Sequence, residues 1–160
     1  MSVQSNVYEF QTPGMPGDFY DNSAQFTRGA IVTSGGVIGN AVTYVDAAAD
    51  PRRVQGGGSG LFAGIIVNGK ELVRASGLSA GLSLASETVA PVCAHGNVWV
   101  KVETAVQPGY VAAFDSATGA IEGYATSAAA TSGGKVVIDN ADFVICTASS
   151  GGMAVLRLKN

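Results

Sequence analysis

Apolar and polar positions alternate over short stretches of this chain, and glycine-rich breaks separate the stretches. The clearest case lies between Glu87 and Glu103, where an apolar run is followed by a break at residues 95–97 and then by Val-Trp-Val-Lys-Val. This mixture of β-branched and aromatic residues suits a pleated, partly buried surface, and the pattern predicts a β-hairpin. The second strand of the hairpin turns one side to a core, namely Val98, Val100 and Val102, and presents Trp99, Lys101 and Glu103 on the other.

The same kind of pattern recurs from residue 29 to the end of the chain, and glycine, asparagine and proline mark turns between the stretches. It predicts about eleven strands, over residues 29–33, 41–45, 60–67, 71–75, 88–93, 97–103, 110–114, 120–124, 135–138, 142–147 and 153–158. Asn68-Gly69 is the strongest signal for a tight hairpin. Residues 47–50 and 78–86 favour no more than a turn or two of helix. The prediction is an all-β domain, either a sandwich or a closed barrel.

Residues 1–28 differ from the remainder, because they combine Gln, Asn, Pro and Gly with five aromatic side chains. Pro-Gly pairs at 13–14 and 16–17 interrupt any helix or long strand, so the segment is expected to be an extended arm, followed by a β-rich domain over residues 29–160. An arm of this kind lies either across its own domain or on a neighbouring subunit. The aromatic residues are the anchors for either contact: Tyr8, Phe10, Phe19, Tyr20 and Phe26.

The composition favours a protein that assembles with others and argues against nucleic-acid binding. Charged residues make up 13% of the chain, 22 of its 160 residues are glycine, and its net charge is −3. A low charge content leaves weakly polar surface that assembly would cover. Arg52-Arg53 is the one adjacent basic pair, whereas a nucleic-acid surface needs a basic patch, so the pair is expected in a solvated loop and nucleic acid is not an expected partner.

Cys93 and Cys146 lie in apolar runs and are expected to be buried thiols, with a disulfide between them as the alternative. The N-terminus carries no signal-peptide pattern, and no apolar run approaches the length of a membrane helix. The expectation is synthesis in a cytoplasm and no membrane association.

Some stretches match catalytic motifs formally, but their sequence context does not fit those motifs. No cofactor or metal is expected. The Gly58–Ala63 stretch has dinucleotide-type glycine spacing, but a strand-like run follows it instead of a helix. Ser79 lies in a nucleophile-elbow pattern, and Glu87 and His95 follow too closely for an α/β hydrolase frame. His95, the only histidine, is interpreted as a turn residue. The segment from Asp139 to Asp142 lacks the pattern of a calcium loop and is interpreted as a turn between strands.

Five segments, taken in order, resemble the tailed-bacteriophage capsid cement or decoration proteins: VYEFQTPGMPGDFYD, FAGIIVNG, APVCAHGNVWVKVE, PGYVAAFDSATGAI and the terminal AVLRLKN. The resemblance is one of arrangement: an arm, a glycine-framed apolar strand, alternating valines, and a Pro-Gly turn into an aromatic-ended strand. It implies a β-barrel or β-tulip-like protein, without enzymatic activity, that binds the outer surface of the assembled phage head.

The partners implied are the major capsid protein and further copies of the chain, with a trimer preferred over a dimer. The five aromatic residues of the arm are the main interface candidates, and Arg52, Arg53 and Trp99 are secondary ones, with Trp99 expected more often in a core than at an interface. Two other functions stay open at this point. One is a carbohydrate- or ligand-binding β module, and the other is a small hydrolase that uses Ser79 and His95.

Overall fold

Nine β-strands and one short helix form the regular structure of the residues that this computed structural model describes, which are 14–22, 24–69 and 82–159. The strands are β1 (Phe26–Val32), β2 (Ala41–Asp46), β3 (Asp50–Gly56), β4 (Phe62–Ile66), β5 (Thr88–Lys101), β6 (Val111–Phe114), β7 (Ile121–Tyr124), β8 (Val136–Ile145) and β9 (Met153–Leu158). The helix α1 (Ser127–Ser132) precedes β8, and Thr126 caps its N-terminus through a hydrogen bond from the Ala129 N–H to Oγ1. The prediction of an all-β fold is confirmed.

Five strands close into a barrel in the order β1, β3, β2, β4 and β5, because β5 also pairs with β1. Alternate residues of these strands point inward and fill the barrel with small aliphatic side chains. The barrel core consists of Ala30, Val32, Ile38, Val42, Val54, Ala63, Ile66, Ala90 and Val92. The predicted barrel is therefore present, although it uses only half of the strands.

The other half forms a second sheet in the order β5, β9, β8, β6 and β7. The chain just after β5 returns to the far strand, since Val102 forms a β-bridge with Ile121 and the Glu103 N–H donates to the Ile121 carbonyl at 2.9 Å. The core of this sheet is larger than that of the barrel and includes Phe114, Ile121, Ile138, Phe143 and Leu156.

The β5 strand is the element that joins the two units. Its first half, up to His95, pairs with β1 and β4, and its second half, from Gly96 to Lys101, pairs with β9. The hairpin predicted over residues 87–103 is therefore wrong. Gly96 adopts a φ of 136°, which bends the strand without ending it. The predicted facing of Val98, Val100 and Val102 is confirmed, because all three are buried.

Three further boundaries differ from the predictions. The β3 strand was missed, because DPRRVQG carries one apolar residue apart from Pro51; Arg52 and Arg53 therefore lie on a strand and not in a loop. The β8 strand continues through the predicted turn near Asn140, which adopts a φ of 58° within the strand. Residues 47–49 form the turn between β2 and β3 instead of a helical turn, with Asp46 Oδ1 accepting the N–H groups of Ala48 and Ala49.

Both cysteines are free thiols, and Cys93 is buried while Cys146 is partly exposed. Burial raises the pKa of the Cys93 thiol and that of Cys146. The predicted strand over residues 71–75 lies outside the described residues, as does most of the segment 78–86. Within the described part of the chain, no helix is long and apolar enough to cross a bilayer.

Candidate interaction surfaces

A short N-terminal segment, which we call the strap (residues 14–22), lies along β5. The Gly17 N–H donates to the Trp99 carbonyl at 2.7 Å, the Trp99 N–H donates to the Asp18 carbonyl at 2.8 Å, and the Tyr20 N–H donates to the Asn97 carbonyl at 2.9 Å. Phe19 forms an antiparallel β-bridge with Val98. The strap therefore occupies the edge of β5 that β9 leaves open, and it runs antiparallel to β5 as β1 does further along.

Trp99 is covered by the strap and is only 6% exposed. The Tyr20 ring meets its indole edge to face, with ring centroids 5.8 Å apart. Gly14 lies directly against the indole, since a Cβ atom at that position would be 2.5 Å from Trp99 Cδ1. A second anchor holds the middle of the strap, where Asn68 Nδ2 donates to Asp18 Oδ1 at 3.0 Å.

Three of the predicted interface residues, Phe19, Tyr20 and Trp99, thus contact one another's segments within the same chain. Tyr8 and Phe10 lie outside the described residues. The pairing of strap and β5 was not visible in the sequence, because it depends on which edge of β5 the sheet leaves open.

The remaining candidates lie on the barrel surface. Phe26 begins β1 and is 60% exposed. Arg52 pairs with Asp50 at 3.0 Å, and this contact lowers the pKa of the Asp50 carboxyl. Arg53 pairs with Glu87 at 2.7 Å. The two adjacent arginines therefore have separate acidic partners within the chain.

Arg53 borders a surface that sequence reasoning missed, the outer face of β1 and β5. We define this outer face as Gly29, Ile31, Arg53, Val89 and Pro91. Ile31 is paired in register with both Val89 and Arg53, and Gly29 is paired with Pro91. Val89 is 64% exposed. The signal in the sequence was the alternation in Thr-Val-Ala-Pro-Val, which sets Val89 opposite to the buried Ala90.

A partly buried group of charges lies in the second sheet. Lys135 Nζ is 2.7 Å from Asp115 Oδ2 and 2.8 Å from Glu122 Oε1, and the Tyr124 hydroxyl donates to Glu122 Oε2. The hydrogen bond from Lys135 lowers the pKa of Asp115 to about 2, helped by the Ala117 N–H. The same contacts raise the pKa of Lys135, and the Glu122 carboxylate raises that of Tyr124. All these charges have partners, so removing one of them would leave a partly buried charge unpaired.

The catalytic patterns in the sequence find little support in the geometry. Gly58–Ala63 leads into β4 and not into a helix, and Ser79 lies outside the described residues. His95 lies within β5, which corrects the expected turn, and its Nδ1 is buried without a hydrogen-bond partner among the described residues. In the described ranges, no three His, Cys, Asp or Glu side chains are grouped to bind a metal ion.

One pocket includes His95 and is lined by Asn97, Arg157 and Lys159. Its two cationic side chains both bind Asp142, with Arg157 Nη2 at 2.6 Å and Lys159 Nζ at 3.0 Å. The hydrogen bond from Arg157 lowers the pKa of Asp142. Asp142 already occupies these charges, and no Phe, Tyr or Trp is among the described residues that line this pocket, whereas a sugar-binding module is expected to offer an aromatic platform.

Comparison with known proteins identifies the family of the chain. A family model described as "Structural cement protein (E217 gp24/Pam3 gp6)" matches residues 3–159. A chain of the solved structure "The capsid of Myoviridae Phage XM1" has the same fold, with a TM-score of 0.66, 17% sequence identity, and coverage of 100% of this chain and 99% of that one. A search of curated proteins gave no match. The solved structure supports the fold, and the family match supports a role as a capsid cement protein, which implies a non-enzymatic, structural role. The chain belongs to the structural cement protein family of bacteriophages.

Proposed function

We propose that this protein binds the outer surface of the assembled phage head and holds neighbouring capsomers together, as a homo-oligomer for which we prefer a trimer over a dimer. The observation that carries the proposal is the family match, which spans nearly the whole chain from residue 3 to residue 159. The barrel surface is consistent with this proposal, because the side chains of Phe26 and Val89 are more than half exposed there and are available to a partner.

The mechanism is a thermodynamic linkage. A protein that binds only the assembled shell stabilises that shell by an amount that grows with occupancy, about 2.7 kcal/mol per site when the free protein exceeds its dissociation constant a hundredfold. The effect repeats at every site on the shell. No chemical step is needed.

The interface residues divide into two sets in this proposal. Tyr8, Phe10, Phe26, Arg52 and Arg53 contact the major capsid protein or a neighbouring copy. Phe19, Tyr20 and Trp99 support the interface indirectly, because they fix the strap, to which residues 1–13 are joined, on β5. The arm that reaches a partner is accordingly residues 1–13, and the strap is the anchor of that arm.

The test is co-sedimentation with expanded empty capsids, comparing the full chain with a variant that lacks residues 1–13. We expect saturable binding of the full chain and at least tenfold weaker binding of the truncated one, because Tyr8 and Phe10 are lost. Truncation at residue 13 keeps the strap, so the melting temperature should stay unchanged. A full chain that does not pellet with capsids contradicts the proposed function, and equal affinities contradict the role of residues 1–13.

A further inference from the structure

We propose that the outer face of β1 and β5 is the surface through which copies of this chain associate with one another. This inference rests on the proposed self-association and assigns it to particular residues. The centre of the face is Val89, which is 64% exposed and lies opposite Ile31 across the two strands. Gly29 and Pro91 extend the face, so that no charged side chain interrupts its centre.

The side chain of Val89 is not part of the barrel core. In β1 and β5 the alternate residues Ala30, Val32 and Ala90 fill the barrel, and each is at most 1% exposed. Val89 points away from them and adds nothing to the barrel core. Burial of this exposed side chain by another molecule would remove apolar surface from water, and such burial favours association.

The charges at the rim indicate what covers the face. Arg53 and Glu87 lie next to each other there, 2.7 Å apart, with 39% and 56% of their side chains exposed. A partner of one charge sign would match one of them and repel the other. A second copy presents the same pair, so around a symmetry axis near Val89 the Arg53 of each copy can face the Glu87 of another.

Backbone geometry keeps Glu87 in this position. It adopts a φ of 62°, which is uncommon for a residue other than glycine, and its N–H donates to the Val32 carbonyl at 2.7 Å. The carboxylate is therefore held beside Arg53 at the start of β5 instead of moving freely with a loop.

The first experiment measures the mass of the purified full chain in solution by analytical ultracentrifugation, without capsids. We expect an oligomer, and we expect Val89→Asp to raise its dissociation constant at least tenfold. Leu61→Asp is the matched control, because Leu61 is 68% exposed and lies outside this face; its dissociation constant should stay unchanged. Val89→Ser serves in place of Val89→Asp if that variant does not fold.

The second experiment separates a contact between copies from the ion pair within one copy. Arg53→Glu and Glu87→Arg should each weaken association, since like charges then meet across the contact. An equimolar mixture of the two variants should recover it, at both contacts of a dimer or at two of the three contacts of a trimer, because the two acidic side chains of one variant then face the two basic side chains of the other. The pair within each chain stays broken in the mixture, so recovery can come only from the contact between copies.

Several results overturn the proposal. They are a monomeric full chain at all concentrations, an unchanged dissociation constant for Val89→Asp, and a mixture that associates no better than its components. If the full chain is monomeric and Val89→Asp weakens capsid pelleting instead, the face belongs to the capsid protein. Because the assay contains no capsids, it can fail or succeed independently of capsid binding.

Discussion

Trp99 and Val89 lie ten positions apart on the same strand, β5, and their surroundings are opposite. Trp99 is covered by the strap and is 6% exposed, whereas Val89 is 64% exposed. Trp99, a secondary interface candidate that was expected more often in a core, is used by the fold, and the smaller residue is available to a partner. In this protein, the number of aromatic residues in a segment is therefore a poor guide to its free surface.

The contrast follows from what covers one edge of β5, which is β1 along its first half and the strap along its second half. Along its first half, β1 covers one edge and the barrel closes, which leaves only the outer face of the sheet in contact with water. Along its second half, the same edge is open until the strap fills it with three backbone hydrogen bonds. The strap brings Tyr20 and Gly14 over Trp99 as a result.

Removing the indole should have the largest effect on stability. Trp99→Ala is expected to cost about 3–5 kcal/mol in the free energy of unfolding, because it empties a covered site and removes the surface on which the strap rests. Chemical denaturation with far-UV circular dichroism measures this cost. A loss below about 1 kcal/mol would mean that the strap and Trp99 contribute little to the fold.

Acid should weaken the second sheet through Asp115. Its folded pKa of about 2 lies below its ordinary value of 3.8, so its contribution is present above pH 4 and is lost as the pH falls through about 2. The contribution is at most roughly 2 kcal/mol. Melting temperatures of the wild type and of Asp115→Asn between pH 5 and pH 2 test this, and the variant should show the shallower decline. Parallel curves would contradict it.

Replacing the glycine near Trp99 and the glycine near Val89 with alanine should change the stability of the protein in opposite directions. Gly14→Ala places a methyl group 2.5 Å from Trp99 Cδ1 and should lift the end of the strap, at a cost of about 1 kcal/mol. Gly29→Ala on β1 meets only Val89 Cγ1 at 3.8 Å and should be neutral or stabilising by up to about 1 kcal/mol.

Tryptophan fluorescence distinguishes the two glycine variants. The emission of Gly14→Ala should shift to longer wavelength as water reaches Trp99, and that of Gly29→Ala should not shift. Identical spectra would show that residue 14 does not shield the indole.

The smallest effect on stability is expected for the exposed residue, Val89. Val89→Ala should change the unfolding free energy of the dilute, dissociated protein by no more than about 0.5 kcal/mol, because the side chain makes few contacts there. At concentrations where the protein associates, its melting temperature should fall relative to the wild type, since binding and stability are linked. Differential scanning calorimetry at two concentrations would reveal a departure from either expectation.

Local patterns in the sequence were sufficient for much of the fold. The β9 strand matches its predicted range, and β6 and β7 differ from theirs by a residue at one end, because alternation and turn residues are local signals. The β3 strand escaped detection because its pairing with β1 and β2 stabilises a segment that is polar in itself. Gly96 was misread because glycine marks either a turn or a bend, and only the change of partner from β1 to β9 distinguishes them.

The site was less predictable than the fold. Phe26 and Arg53 were selected for being aromatic and basic, and the structure places both at the barrel surface. Neither the strap over Trp99 nor the exposure of Val89 follows from residue type, since both depend on contacts between distant parts of the chain.

The β5 strand has a mechanical consequence for a capsid cement protein. It belongs to both units, and six of its residues pair in register with β9 while seven pair with β1. A force that pulls the barrel away from the second sheet along this strand therefore acts on many hydrogen bonds together in shear, instead of opening them one after another. Tension between two attachment points would be carried by a continuous backbone and not by a flexible linker.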